Sequence, residues 1–250
     1  MVFWSGIFQK TINTIMRLFE IIKPIDNKRD IIDVYSPDIG GINNYSSEKI
    51  ENVLEFIENH CSEFCSAVRR SNNFLYRAIP QGKAPQIFIA TSPKHRIPQG
   101  QGLQHQQIFD KILSSAGFLS LRTNSICTTT DLSFVKDWGT PYFIFPLNGF
   151  SFTWSNFIRD VGGSTILSST LKKLFPKYYI FPEANRPDIN TGNLPKPSVA
   201  KFVKDMQYKN DDLSQALKSN HEISIHGQYV AIVFNFEYGK QIQKHFGITV

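Results

Sequence analysis

The sequence predicts an α+β fold, and three observations predict it. Apolar residues recur at helical spacing in the N-terminal third, whereas beyond Asn73 the apolar runs are short, rich in β-branched and aromatic residues, and bounded by turn residues. Strand-like runs outnumber the helical ones there and do not alternate with them, which argues against parallel βαβ units. The chain has 250 residues, 41% hydrophobic and 13% aromatic, with only 19% charged. That is ample material for one large core, or for a core with a helical extension.

In chain order, VFWSGIFQKTINTIMRLFEIIKP opens with Phe8, Ile12, Ile15, Met16, Phe19 and Ile22 at helical spacing. This reads as an amphipathic helix ending near Pro24, suited to packing on the body or on a partner, with a membrane surface as the other option. Lys10, Arg17 and Glu20 interrupt the run, so neither a signal peptide nor a spanning segment is expected. NKRDIIDVYSPDIGGINNYSS reads as a turn-rich linker. SSEKIENVLEFIENHCSEFCSAVRRS then reads as a second helix, capped by Ser46 or Ser47, with Ile50, Val53, Leu54, Ile57, Phe64 and Val68 as its apolar stripe. Residues 1–72 are therefore expected to be a helical N-terminal segment and residues 73–250 the α+β body.

Within the body, NNFLYRAIP and APQIFIAT read as strands, and LQHQQIFDKILSSAGF as a helix stopping at Gly117. SLRTNSICTTTD is expected to be a strand, since β-branched residues dominate its second half, and DLSFVKDW a short helix. TPYFIFPLNGFSFTWS places two apolar runs around Asn148-Gly149, a hairpin signal, and HEISI with QYVAIVFNF around His226-Gly227 reads as a last hairpin. Between them lie an amphipathic segment, a strand-like KYYIFP and the loop EANRPDINTGNLPKP.

Lys and Arg number 27 against 21 Asp and Glu, a net charge of +6, and the pI is near 9.1. The excess favours anionic partners such as nucleic acid, a membrane surface or a phosphorylated cofactor, but its scatter points to no dedicated nucleic-acid stripe. Cys61, Cys65 and Cys127 do not make a disulfide framework. His60, Cys61 and Cys65 lack an evident fourth metal ligand, so the cysteines read as structural and no metal is expected. P-loop, dinucleotide-binding, HExxH and EF-hand patterns are all missing from the sequence.

Three polar intrusions remain in strand-like context. They are Arg77 in FLYRAI, the hydroxyls from Ser125 to Thr130, and Glu222 at the head of HEISI. A guanidinium among apolar neighbours needs an anion or acceptors. Each intrusion taken alone has an ordinary reading: a salt bridge at a sheet edge, β-branched strand residues, an edge-strand carboxylate.

Their order, with LYRAI, LRTNSICTTTD and WGTPYFIFPLNGFSFTWSNFIRD, resembles the arginine-serine-glutamate class of mono-ADP-ribosyltransferases, and more closely those encoded by tailed bacteriophages. The resemblance covers roughly residues 73 to 236. It implies a split β-sheet core, NAD as the ADP-ribose donor, and a protein or nucleic-acid acceptor in the host cytoplasm, with packaging in the virion a further option. It implies Arg77 on the phosphate and ribose of NAD, and Glu222 as the catalytic glutamate. The hydroxyl position falls on Thr128, completed by Thr129 and Thr130, or alternatively on Ser125, because TNSICTTT permits two alignments. The residue two before the glutamate, which helps choose the acceptor, is Asn220 where the class has Glu or Gln. The resemblance is equally compatible with a non-catalytic phage structural or host-interaction protein of the same fold. His221, His226, His95, Arg96 and His105 read as polar fastenings or solvent-facing groups, and Tyr142, Phe145, Phe150, Phe152 and Trp154 as core.

Overall fold

The computed structural model describes residues 42–44, 50–80, 82, 84–94, 96, 103–179 and 193–248. The amphipathic segment before Pro24, all of its linker but residues 42–44, the candidate caps Ser46 and Ser47, His95 and most of the EANRPDINTGNLPKP loop lie outside the described residues. The α+β expectation holds: helices pack around two antiparallel sheets, one five-stranded and one four-stranded.

The first sheet has the order β1-β3-β9-β5-β2, built from Ile42–Asn44 (β1), Leu75–Ile79 (β2), Ile87–Thr91 (β3), Thr140–Pro146 (β5) and Gln228–Val233 (β9). The second has the order β4-β8-β6-β7, built from Ile126–Thr128 (β4), Ser151–Ser155 (β6), Tyr208–Lys209 (β7) and Ile223–His226 (β8). β1 falls inside the stretch read as a linker. SLRTNSICTTTD is a strand only at Ile126–Thr128; residues 122–124 form a turn in which Asn124 Oδ1 accepts the Leu121 N–H at 2.8 Å. The described part of KYYIFP is also not a strand, since Pro176–Tyr178 form a 3-10 turn with proline in its first turn.

The long N-terminal helix is two helices, α1 (Ile50–His60) and α2 (Ser62–Ser71). The break has a local cause. The His60 carbonyl accepts the Asn148 N–H at 2.7 Å, and the Asn148 side-chain oxygen accepts the Glu63 N–H at 3.2 Å, satisfying a donor in the first turn of α2. The expected stripe is buried as read, from Ile50 to Val68. Phe64 meets Phe145 edge-on at 5.9 Å, and Phe74 and Phe145 both meet Phe246 of the helix Phe236–Phe246, so that helix, α1 and α2 share one core with the sheets.

Neither expected hairpin forms. β5 and β6 belong to different sheets, and so do β8 and β9. Pro146 faces Tyr229 and Ser151 faces His226, so residues 147–150 stand against only Gly227 and Gln228. β5-β6 and β8-β9 are thus two long strands that cross together from one sheet to the other, and the two extra residues form the bend. Glycine marks the corner on both strands because the backbone turns through positive φ, +86° at Gly149 and +132° at Gly227. A Cβ on Gly227 would also press on Phe150 Cα at 3.2 Å. Gly227→Ala is expected to cost about 1–3 kcal/mol, seen as a lower urea midpoint with an unchanged slope.

A second core lies over the other side of the four-stranded sheet. It gathers Ile108, Phe109, Ile112 and Leu113 of α3 (Leu103–Ser115), Leu167 and Leu171 of α5 (Thr165–Leu174), and Val199 and Phe202 of α6 (Lys196–Asp205). Between it and the sheet run the polar side chains of the candidate site.

Candidate functional site

β4 and β8 pair with Thr128 opposite Ile223, and one residue further on that register Thr129 stands level with Glu222. The hydroxyls of β4 and its exit are spent on this turn. Thr128 Oγ1 donates to the Ile223 carbonyl at 2.7 Å, Thr129 Oγ1 to the Asn220 carbonyl at 3.4 Å, and Thr130 Oγ1 to Asn220 Oδ1 at 2.8 Å. Ser125, by contrast, is fully buried and donates to Asn124 Oδ1. Asn220 has φ +57°, a left-handed conformation that asparagine tolerates and longer side chains at this position disfavour. That gives a backbone reason for Asn where Glu or Gln was the expectation. α4 (Leu132–Lys136) follows at once, capped by Asp131, whose other oxygen is paired with Arg159 at 2.7 Å.

Glu222 is held from three sides. Its N–H donates to the Arg159 carbonyl at 2.8 Å, Oε2 accepts the Val161 N–H at 3.2 Å, and Oε1 accepts Nε of Arg122 at 3.1 Å. The two side chains of this ion pair are only 7% and 12% exposed, so it is a buried pair and not a surface one. Burial pushes the Glu222 carboxyl up, but the Arg122 charge, the Cys127 thiol and the Val161 N–H outweigh it and hold the group below the usual carboxylate range. Burial likewise opposes the charge on Arg122, and Glu222 and Cys127 more than restore it. Glu222 is an ionised, immobilised carboxylate.

Arg122 was not among the expected site residues, although it sits in the SLRTNSICTTTD segment. The signal available was a guanidinium at the head of a run of small, mostly polar residues; its partner, 100 residues away, was not legible. Behind Arg122 stands Asp110 of α3, 7% exposed, whose Oδ1 accepts Gln106 Nε2 at 2.9 Å and the Arg122 N–H at 3.0 Å, while Oδ2 accepts the Thr123 N–H at 3.0 Å. Burial raises its carboxyl above the ordinary value of 3.8, against the pull of those hydrogen bonds.

Asp110→Asn would turn one acceptor oxygen into a donor against backbone N–H groups, at an expected cost of about 1–3 kcal/mol. The pH dependence separates the two carboxylates. Glu222, lowered in the fold, lends stability above its ordinary 4.5 that is lost as pH falls through its folded value. Asp110, raised in the fold, takes up its proton earlier than the unfolded chain does, so falling pH relieves its burial cost between its raised value and 3.8. Urea titrations through the acid range should therefore show Asp110→Asn losing stability more steeply than the parent as pH drops.

Arg77 lies on β2, at the edge of the other sheet, opposite Tyr142 and 8% exposed. β2 reaches the hydroxyl strand through Tyr76, whose N–H and carbonyl both bond to Thr129 at 2.7 and 3.0 Å. Three segments far apart in the chain thus stand side by side, Tyr76-Arg77, Thr128-Thr129 and Glu222-Ile223, each step about 5 Å across. Alternation along the paired strands puts Arg77, Tyr142, Ala231, Phe88 and Ala90 on one side of their sheet. Ser92, next in that series, meets Nδ1 of His226 at 3.0 Å. His226 follows Ser224 on β8, and Ser224 lines the same small void as Glu222 and Thr153. Across the Tyr76–Thr129 bridge it is Tyr76, and not Arg77, that shares a side with Thr129 and Glu222.

That void measures about 10 Å³, close to the room a single water needs. The buried hydroxyls of Thr153 and Tyr208 border it without a hydrogen-bond partner among the described residues. Arg96 directs Nη1 at Cys127 Sγ, 2.7 Å away, and His221 is fastened to the Ser155 carbonyl at 2.8 Å. Cys61 and Cys65 are buried, with their thiols on the carbonyls of Phe145 and Ile57, and burial pushes Cys65 up to about 12. Among the described residues no group of three or more His, Cys, Asp and Glu side chains is arranged to hold a metal ion, and no helix is long and apolar enough to cross a membrane. Comparison of the chain with family models, with curated proteins and with solved structures gave no match.

Proposed function

We infer that this chain is a mono-ADP-ribosyltransferase that takes ADP-ribose from NAD and passes it to a protein or nucleic-acid acceptor in a host cell. One observation supports the inference: Arg77, the Thr128–Thr130 hydroxyls and Glu222 belong to three neighbouring strand segments, joined through the Tyr76–Thr129 bridge and the Thr128–Ile223 pair. The chemistry suits each group. The planar fork of Arg77 matches phosphate oxygens. The hydroxyls of β4 brace the turn that presents Glu222. Cleavage of the bond between nicotinamide and ribose builds positive charge on the anomeric carbon, which an ionised carboxylate fixed beside it stabilises. The split sheet of this enzyme class is the matching finer reading of the two-sheet fold.

A second reading has its own observation. Arg122 already neutralises Glu222, and the void beside the pair holds no more than about one water, which suits a non-catalytic phage structural or host-interaction protein of the same fold. Labelled NAD separates the two. Transfer to host lysate, or release of nicotinamide, that depends on Glu222 supports the enzyme; no turnover by the parent chain supports the second reading.

A further inference from the structure

Tyr208, which borders the small void beside Glu222, also lines an open groove of about 1090 Å³ between the end of α3, one face of α6 and β7. Its floor is apolar, with Leu194, Val199 and Val203, and its rim carries Lys111, Lys196, Lys204 and Lys209. No carboxylate lines it among the described residues. The ion pair of α6, Lys201 with Asp205, does not line it either. Lys111, Lys196 and Lys204 have no ion pair among the described residues, and Lys209 donates to the Gln215 amide at 3.4 Å.

We propose that this groove is a binding site for the phosphate backbone of single-stranded nucleic acid. Lys196 and Lys204 are eight residues apart on one helix, about 12 Å along its axis, so the ammonium groups cannot converge on one phosphate. They suit a chain of phosphates. Flexible lysine stems set point charges along a backbone without reading sequence, and the apolar floor accepts sugar and base surface. With no carboxylate among its described lining residues, the groove favours anions in line with the +6 charge of the chain. The site goes beyond the transferase reading and does not rest on it, since binding is measured without NAD.

The test is fluorescence anisotropy of a labelled 12-nucleotide single strand with the full chain at 50 to 200 mM salt. Lys196 and Lys204 are exposed, so Lys196→Glu/Lys204→Glu should fold as the parent does. It is expected to bind about ten- to a hundredfold more weakly at low salt, with a log-log salt slope shallower by about 1.4 for two lost phosphates. Lys172→Glu/Lys173→Glu, the same charge change on an exposed part of α5 outside the groove, should bind within about twofold of the parent. Equal losses in both variants would reduce the effect to net charge and overturn the site. So would unchanged binding by the groove variant, or no binding by the parent. Displacement of the oligonucleotide by poly-glutamate at equal charge concentration would assign the groove to acidic peptides instead.

Discussion

Glu222→Gln is expected to lower NAD cleavage by about 10²–10³-fold while leaving NAD affinity within a few-fold of the parent. The amide preserves the shape, and its oxygen can still accept Arg122 Nε. What it removes is the negative charge that, in the proposed function, steadies the sugar cation, and such a charge matters in the transition state and much less in the bound ground state. The substitution has a structural cost too, because Oε2 accepts the Val161 N–H and an amide nitrogen there cannot. Turnover is therefore compared with NAD binding by calorimetry and with the urea midpoint on the same sample. A folded variant that binds NAD and still cleaves it at the parental rate would remove Glu222 from the chemistry. Arg77→Lys gives an independent check: it keeps the charge but loses the fork, so KM for NAD should rise with little change in kcat.

The largest stability effect is expected at Arg122. Arg122→Met fills similar space but strands the Glu222 carboxylate in a site only 12% exposed, at an expected cost of about 3–5 kcal/mol. Much of that cost is the unpaired charge, so Arg122→Met/Glu222→Gln should be more stable than Arg122→Met alone. With the neighbouring cation gone, desolvation governs the Glu222 carboxyl and moves it upward, so the single variant should regain stability as pH falls toward the carboxylate range, where the parent loses it. Equal stabilities for the single and double variants across that range would show that the pair is not coupled.

Several features were legible without coordinates because their causes are local. The stripe from Ile50 to Val68 has helical period, and DLSFVKDW holds the short helix read there, at Leu132–Lys136. Glu222 at the head of β8 and the hydroxyl run at β4 stood out as polar groups in apolar surroundings. The two glycine corners were visible as turns, but their meaning was not. Asn148-Gly149 and His226-Gly227 carry hairpin chemistry, and a hairpin is what local signals report; here each strand continues into the other sheet, because its neighbour bends at the same place.

By itself the sequence determined the α+β class, the position of most helices and strands, and the polar residues worth watching, since each follows from spacing, propensity or the cost of a charge among apolar side chains. Only the tertiary structure decided which partner each charge takes. Arg122 and Glu222 meet across 100 residues, the Asn148 side chain caps a helix some 85 residues earlier, and the lysines of the groove come from α3, α6 and β7. Such pairings depend on how two sheets cross and on which side chains the packing deprives of water, and no local stretch of chain contains either.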